Sequence, residues 1–321
     1  MMRVKLVPDQ TAIVFIRYRR LAFIVSGMLL LASMALFFTK GLNYGIDFRG
    51  GTMIEIGTDG PADIADLRNR VGNLGLGDVQ VQQFGEPTDV LIRVEEQTGG
   101  VGAEAIGADT GGQGGIDVVD TLRGMLGDTV EYRRVEVVGP KVSGELIQSG
   151  VIAVLVAVFL VLIYIWIRFE WQFSVGAIAA LIHDVALTIG IFCLLQLEFN
   201  LSIIAAILTI VGYSLNDTVV VYDRIRENLR KYKKKDLSEL IDLSVNQTLS
   251  RTVMTSVTTL IALLSLYILG GEVIRGFTFA MIWGVVIGTY SSVFIASPIL
   301  LMLDIKRDWG AVPTRTGTSQ S

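Results

Sequence analysis

Residues 277–303 read FTFAMIWGVVIGTYSSVFIASPILLML, 27 residues without a charge. An α-helix rises 1.5 Å per residue, so about 20 apolar residues cross a hydrocarbon core roughly 30 Å thick. Five more blocks have the same character. Residues 21–38 and 151–167 carry no charge, and 252–269 carry none either. Residues 173–195 carry only His183 and Asp184, and 199–222 carry only Asp217. Buried helices of soluble proteins rarely run this long without charge, and a chain that is 51% hydrophobic fits no ordinary soluble class. The pattern predicts a polytopic α-helical membrane protein with six transmembrane helices.

Charge in the connections orients it. Arg3, Lys5, Arg17, Arg19 and Arg20 precede the first helix. Seven Lys or Arg lie between Arg224 and Lys235 after the fourth, and Lys306, Arg307 and Arg315 follow the sixth. These segments share one side in a six-pass chain, and the excess of Lys and Arg makes that side the cytoplasm. The expected division is a cytoplasmic N-terminus at 1–20, the first helix at 21–40 and an external (periplasmic) domain at 41–149. Helices two to six then occupy 150–303, with a cytoplasmic loop at 223–250, and 304–321 is a cytoplasmic tail. The first block exceeds a typical signal h-region and lacks a small-residue cleavage pattern, so it reads as a retained anchor.

Within 41–149, apolar alternation at Thr52, Ile54 and Ile56 gives a strand, and Ile64, Leu67, Val71 and Leu74 recur at helical spacing. Asp59-Gly60-Pro61 is expected to open that helix, with proline in its first turn. Strands follow around Val79–Val81 and Val90–Val94, then a helix through Ile116, Val119, Leu122 and Leu126, then a strand over 130–138. The order βαββαβ predicts an α+β ferredoxin-like domain between helices one and two. It holds 18 Asp/Glu against 8 Lys/Arg, a net of −10, which argues against nucleic acid as a partner. The run 98–115 has eight glycines but no Lys followed by Ser/Thr to hold a phosphate, so it reads as a surface loop. No catalytic set, cofactor motif or metal-ligand spacing is present in the domain, and the sole cysteine, Cys193, lies in the third helix, so the domain folds without disulfides.

Ionisable groups in hydrocarbon are costly and each needs a function or a partner. Asp217 sits about 7 Å inside the cytoplasmic edge of the fourth helix. Arg251 opens the fifth helix near the same edge, with Thr255 and Thr258 on its face. Antiparallel succession puts Asp217 and Arg251 within one arginine side chain of each other. Asp184 lies about 9 Å deeper, in the third helix, on a face with Ala180 and Thr188. His183 beside it points about 100° away, and is either a proton carrier or a packed neutral histidine. Gly284 and Gly288 form a GxxxG packing face. Leu237, Leu240, Ile241 and Val245 give the stretch 236–250 an apolar face, expected either to lie along the membrane surface or to serve as a connector helix.

Four segments together resemble the SecF family of protein-export membrane proteins. They are GLNYGIDFRGGT at 41–52, VGPKVSGEL at 138–146, GYSLNDTVVVYDRIRE at 212–227 and QTLSRT at 247–252. The run 98–115 is longer than that pattern. The resemblance implies a subunit of the resistance–nodulation–division superfamily, not an enzyme, in the inner (cytoplasmic) membrane with both termini inside. Its implied partners are SecD, the SecYEG channel with its accessory proteins, translocating preproteins and protons. The family's proton-pathway residues map onto Asp217 and Arg251. A small-molecule or lipid exporter of the same superfamily, an intramembrane aspartyl protease using Asp184 and Asp217, and a passive scaffold are the rival readings. The protease reading needs a Gly-Asp motif, whereas Asn216 precedes Asp217.

Overall fold

The structure is a computed structural model that describes residues 8, 11–76, 79–95, 113–127, 130–303 and 305. Residues 98–112 of the glycine-rich run, with Arg3, Lys5, Lys306, Arg307 and Arg315, lie outside these described residues. Among the described residues, six helices are long and apolar enough to cross a membrane. The first, α1 (Arg19–Thr39), follows a 3-10 turn at Ile16–Tyr18. A two-residue strand β1 (Asn43–Tyr44) and one turn of helix, α2 (Ile46–Arg49), lead into the sheet domain.

That domain runs β2 (Gly51–Thr58), α3 (Ile64–Gly72), β3 (Val79–Gln83), β4 (Asp89–Val94), α4 (Gln113–Leu126) and β5 (Val130–Val138). The sheet order β3-β4-β2-β5, with every neighbouring pair antiparallel, is the ferredoxin-like topology the sequence predicts. Alternation chooses the faces. Ile54, Ile56, Val90 and Ile92 turn toward α3 and α4 and pack on Leu67, Val71 and Leu122. Met53 and Leu91 turn to the other face and pack on Ile46. The start of α3 differs from expectation. Asp63, not the Asp59-Gly60-Pro61 turn, caps it, its Oδ1 accepting from the backbone N–H of Ala65 and Asp66 at 3.0 Å each. Aspartate before the first turn satisfies N–H groups that proline two residues earlier cannot reach.

The remaining spans are α5 (Pro140–Arg168), α6 (Trp171–Leu195), α7 (Leu201–Lys231), α8 (Leu237–Leu269) and α9 (Glu272–Ser291). A strand β6 (Glu198–Phe199) separates α6 from α7. The sixth span continues from α9 through a π-helical turn, Ser292–Ala296, into α10 (Ser297–Met302). Helices α6, α7 and α9 form the centre, while α1, α5 and the membrane half of α8 stand outside. Gly284 and Gly288 explain how close α9 comes to α7: a Cβ at Gly284 would lie 2.3 Å from Ile210, and one at Gly288 would lie 3.0 Å from Ser214.

The helix α5 begins at Pro140, ten residues before the expected boundary, so it leaves β5 after a single residue. Of the two forms expected for the stretch 236–250, it takes that of a connector helix. It continues unbroken into α8, and Leu237, Leu240, Ile241 and Val245 are buried against the protein's own core with Ile225 and Leu229 of α7. Its apolar face is satisfied by protein, so lipid is not needed to cover it.

Candidate functional site

The helix α7 positions two groups on one face. Ser214 and Asp217 are three residues apart, so both face the helices packed beside them. Asp217 is 8% exposed. Its Oδ1 accepts from Thr252 Oγ1 of α8 at 2.5 Å, and its Oδ2 accepts from Ser292 Oγ at 2.5 Å. Asp184 of α6 is fully buried. Its Oδ2 accepts from Ser214 Oγ at 2.6 Å and from Ser291 Oγ at 2.7 Å. Its Oδ1 lies 2.9 Å from His183 Nδ1.

Two buried carboxyls therefore sit in two hydroxyl cradles, and adjacent residues of the last helix complete both. Ser291 serves Asp184 and Ser292 serves Asp217. Adjacent helical positions diverge by about 100°, which lets one helix address α6 and α7 together. The backbone beside them is irregular. The π turn opens at Ser292, and Pro298 follows at the start of α10. Ser297 Oγ donates to Ser292 O at 2.8 Å, and the Tyr222 hydroxyl donates to Ala296 O at 3.1 Å. Side-chain hydroxyls thus add donors to carbonyls at both ends of the irregular turn. Ser256 and Thr289, 2.7 Å apart, extend the polar line between α8 and α9.

The structure does not pair Asp217 with Arg251. The nearest groups to the carboxyl are hydroxyls, while Arg251 lies on the exposed face of α8. Thr252, the next residue, points inward in its place. The sequence put the two at similar depth, but depth does not fix the angle around the helix. Helical geometry leaves His183 and Asp184 free to take separate partners, yet the two side chains meet each other. An ionised Asp184 requires the proton on Nδ1 of His183. Nε2 of His183, buried, has no hydrogen-bond partner among the described residues. Sequence reasoning missed Ser214, Thr252, Ser291 and Ser292. Their signal is faint: serine spaced i, i+3 from an intramembrane aspartate, and a Ser-Ser pair in an apolar helix.

Outside this centre, α7 and α8 leave a face uncovered. On α7 it runs through Ser202, Ala205, Thr209, Gly212 and Asn216, and on α8 through Arg251, Thr255, Thr258, Ala262 and Ser265, all exposed. Small and polar residues spaced three and four apart are the composition of a helix–helix contact, not of a lipid-facing surface.

Residues 118–306 match the family profile described as "Protein export membrane protein SecD/SecF, C-terminal", and residues 35–62 match the SecD/SecF GG motif. The chain is 47% identical over 312 residues to a protein translocase subunit SecF of Rhodobacter capsulatus, covering 95% of this chain and 93% of that one. It is 46% identical over 324 residues to the SecF of Cereibacter sphaeroides, covering 98% and 97%. Among solved structures it is similar to SecDF of Thermus thermophilus, described as a translocon-associated membrane protein, with a TM-score of 0.81 and 35% identity over 93% of this chain. This chain spans 39% of that SecDF chain. A SecDF structure in a super-membrane-facing form matches with a TM-score of 0.66 at the same 35% identity.

Proposed function

The chain belongs to the SecF family of protein-export membrane proteins, and from that premise we propose that it carries protons down their gradient to assist translocation by the Sec channel. Asp217 is the carrier in this reading. The observation that carries it is the Asp217 cradle: a nearly buried intramembrane carboxyl hydrogen-bonded by two neutral hydroxyls, with no ion pair to it among the described residues and Arg251 acting on it only through space. A carboxyl locked to a buried guanidinium would leave an unpaired cation on protonation, at a cost of several kcal/mol. A carboxyl held by Thr252 and Ser292 leaves none. Hydroxyls both donate and accept, so they can serve the charged and the neutral acid alike. The cradle spans α7, α8 and the π turn, so a change in its charge acts on three elements at once.

Arg251, exposed beside the cradle, joins the polar face of α7 and α8 and gates Asp217 from there. That face is where SecD would supply facing helices, since Arg251 and Asn216 in contact with lipid alone would be costly. The excess of Lys and Arg in the connections supports termini and an α7–α8 connection in the cytoplasm, with the sheet domain outside the inner membrane. The working complex would hold SecD, the SecYEG channel with its accessory proteins and the translocating preprotein. The sheet domain acts as a lever or a surface for the emerging chain rather than as a catalyst. The two carboxyls each hold their own hydroxyls and share no hydrogen bond, which lends no support to paired-acid proteolysis.

The test is export into vesicles that contain the chain with SecD. Collapsing the proton gradient with a protonophore, ATP held constant, should remove the stimulation that the pair provides. Stimulation that survives the collapse would leave a passive scaffold as the better reading.

A further inference from the structure

Besides its direct continuation into α5, where Ser143 Oγ donates to Ile46 O at 3.4 Å, the sheet domain is fastened to the bundle at the outer end of α7. The strand β1 pairs in parallel with β6, with Asn43 opposite Glu198 and Tyr44 opposite Phe199. Gly45 N–H donates to Phe199 O at 2.8 Å. Asp47 Oδ2 accepts from the backbone N–H of Leu201 at 2.9 Å, so a residue of the domain linker caps the first turn of α7 beside that helix's own cap, Asn200. Arg93 reaches the same point from the sheet. It is 3% exposed, its Nη1 donates to Tyr44 O at 3.2 Å, and its Nη2 lies 3.1 Å from Glu198 Oε1. One guanidinium thus touches the sheet, the linker and the loop that starts α7. Glycine at 45 lets the linker approach this closely: a Cβ would stand 2.7 Å from Glu198 Oε1 and 3.2 Å from Asn200 Cβ, so the Glu198 side chain would have to move.

Beside this junction lies a cavity of about 550 Å³ between the sheet and the bundle, with Asp47, Glu55, Arg134, Glu136, Glu198 and Arg275 on its walls. Water and protons from that side therefore reach Glu198, whose side chain is 22% exposed.

We propose that Arg93, Asp47 and Glu198 form a latch that docks the sheet domain on α7, and that Glu198 makes the latch respond to protons on the domain's side of the membrane. The external location rests on the function proposed above; the latch itself rests on the contacts. Burial pushes the Glu198 carboxyl above its ordinary value. Arg93 opposes that shift, but its Nη1 keeps the Tyr44 carbonyl when Glu198 is protonated; Asp47 adds to the shift, Arg134 opposes it and Glu136 adds to it. Glu55 and Arg275 share the cavity.

The sign follows from linkage. A carboxyl whose value is higher docked than free binds its proton more tightly when docked. Protons on that side therefore favour docking. The stabilisation is fully present below the value of the undocked carboxyl and is lost as pH rises through the raised docked value. The proton-rich side of an energised membrane is thus the side on which the latch closes. Asp47 and the α7 cap carry the docked position to the helix that bears Asp217.

Spin labels at Gln83 of β3 and Val273 of α9, which line the cavity from the domain and from the bundle, read the docking distance. The native Cys193 is replaced by alanine, and the chain is reconstituted with SecD. The distance distribution should widen as the pH on the domain side rises from about 5 to about 8. Glu198→Gln, neutral at every pH and equal in size, should stay narrow throughout. Arg93→Gln should widen the distribution at every pH. An identical pH response in wild type and Glu198→Gln, or no response in either, overturns the proposal. An unchanged distribution in Arg93→Gln overturns it too. The distances need no export assay. A pH-responsive latch in a complex whose export ignores the gradient would defeat the proposed function alone, and a gradient-driven complex with a pH-blind latch would defeat this inference alone.

Discussion

At the scale of single residues, the acids were legible and their partners were not. An aspartate in an apolar run announces itself, because hydrocarbon makes every unexplained charge expensive. Serine and threonine do not, since they are ordinary packing residues in membrane helices and bond their own backbone when nothing else is near. Thr255 and Thr258 show the bland case, each donating to a carbonyl of its own helix. Thr252 shows the other, turned inward to Asp217. The two uses separate only when helix rotation is known. The cradle yields a direct prediction. Thr252→Val removes one donor at constant shape, and Thr252→Ser keeps it. A hydrogen bond to a charged group contributes about 1.5–3 kcal/mol, so gradient-stimulated export should fall roughly tenfold or more in the valine variant and stay near wild type in the serine variant. Equal export from both variants at equal complex levels would show that Thr252 only packs.

At the scale of elements, the six spans followed from length and charge alone, and the sheet domain from alternation and helical spacing. What failed was a rule applied where two rules compete. The apolar face of 236–250 fits a membrane surface as well as it fits a neighbouring helix, and the packing partner decided it. The π turn was invisible, because Ser292–Ala296 has no residue that forbids a regular helix, and only Pro298 hints at the interruption. The pairing of β1 with β6 was equally hidden: two residues have no periodicity, and their partners lie some 150 positions away. GxxxG, by contrast, meant what it commonly means. Gly284→Ala should overpack against Ile210 and lower stability by about 1–3 kcal/mol. Gly276→Ala, whose new Cβ would meet Ile203 at an ordinary 3.6 Å, should cost little. Thermal unfolding of the purified complex compares them, and equal midpoints would mean that α9 and α7 can separate without cost.

For the whole molecule, three layers of polarity line up from one end of the bundle to the other. The latch sits at the end that holds the sheet domain. Asp184 with His183 lies within the bundle, and Asp217 with Thr252 and Ser292 lies toward the basic end. Serines 291 and 292 stand between the two acids, and α7 runs past all three layers. The order suits a proton moving from the sheet-domain side to the basic side, with Asp184 and His183 as the step before Asp217. It also requires that the two ends face opposite compartments. Single cysteines at Asp59 and at Lys234, in a chain with Cys193 replaced by alanine, should label from opposite sides of sealed vesicles, Lys234 from the cytoplasmic side. Labelling of both from one side is incompatible with six crossings.

The central claim is that Asp217 carries the proton, and one variant tests it. Asp217→Asn keeps the size of the side chain and one acceptor oxygen, and its amide NH2 can donate to the other hydroxyl, but it cannot change charge. Vesicles carrying this variant with SecD, at wild-type complex levels, should translocate a preprotein at the rate seen without a proton gradient, whether or not a gradient is imposed. A fixed structural role would instead show itself as loss of the complex. Full gradient stimulation in Asp217→Asn, with the complex intact, would contradict the claim outright.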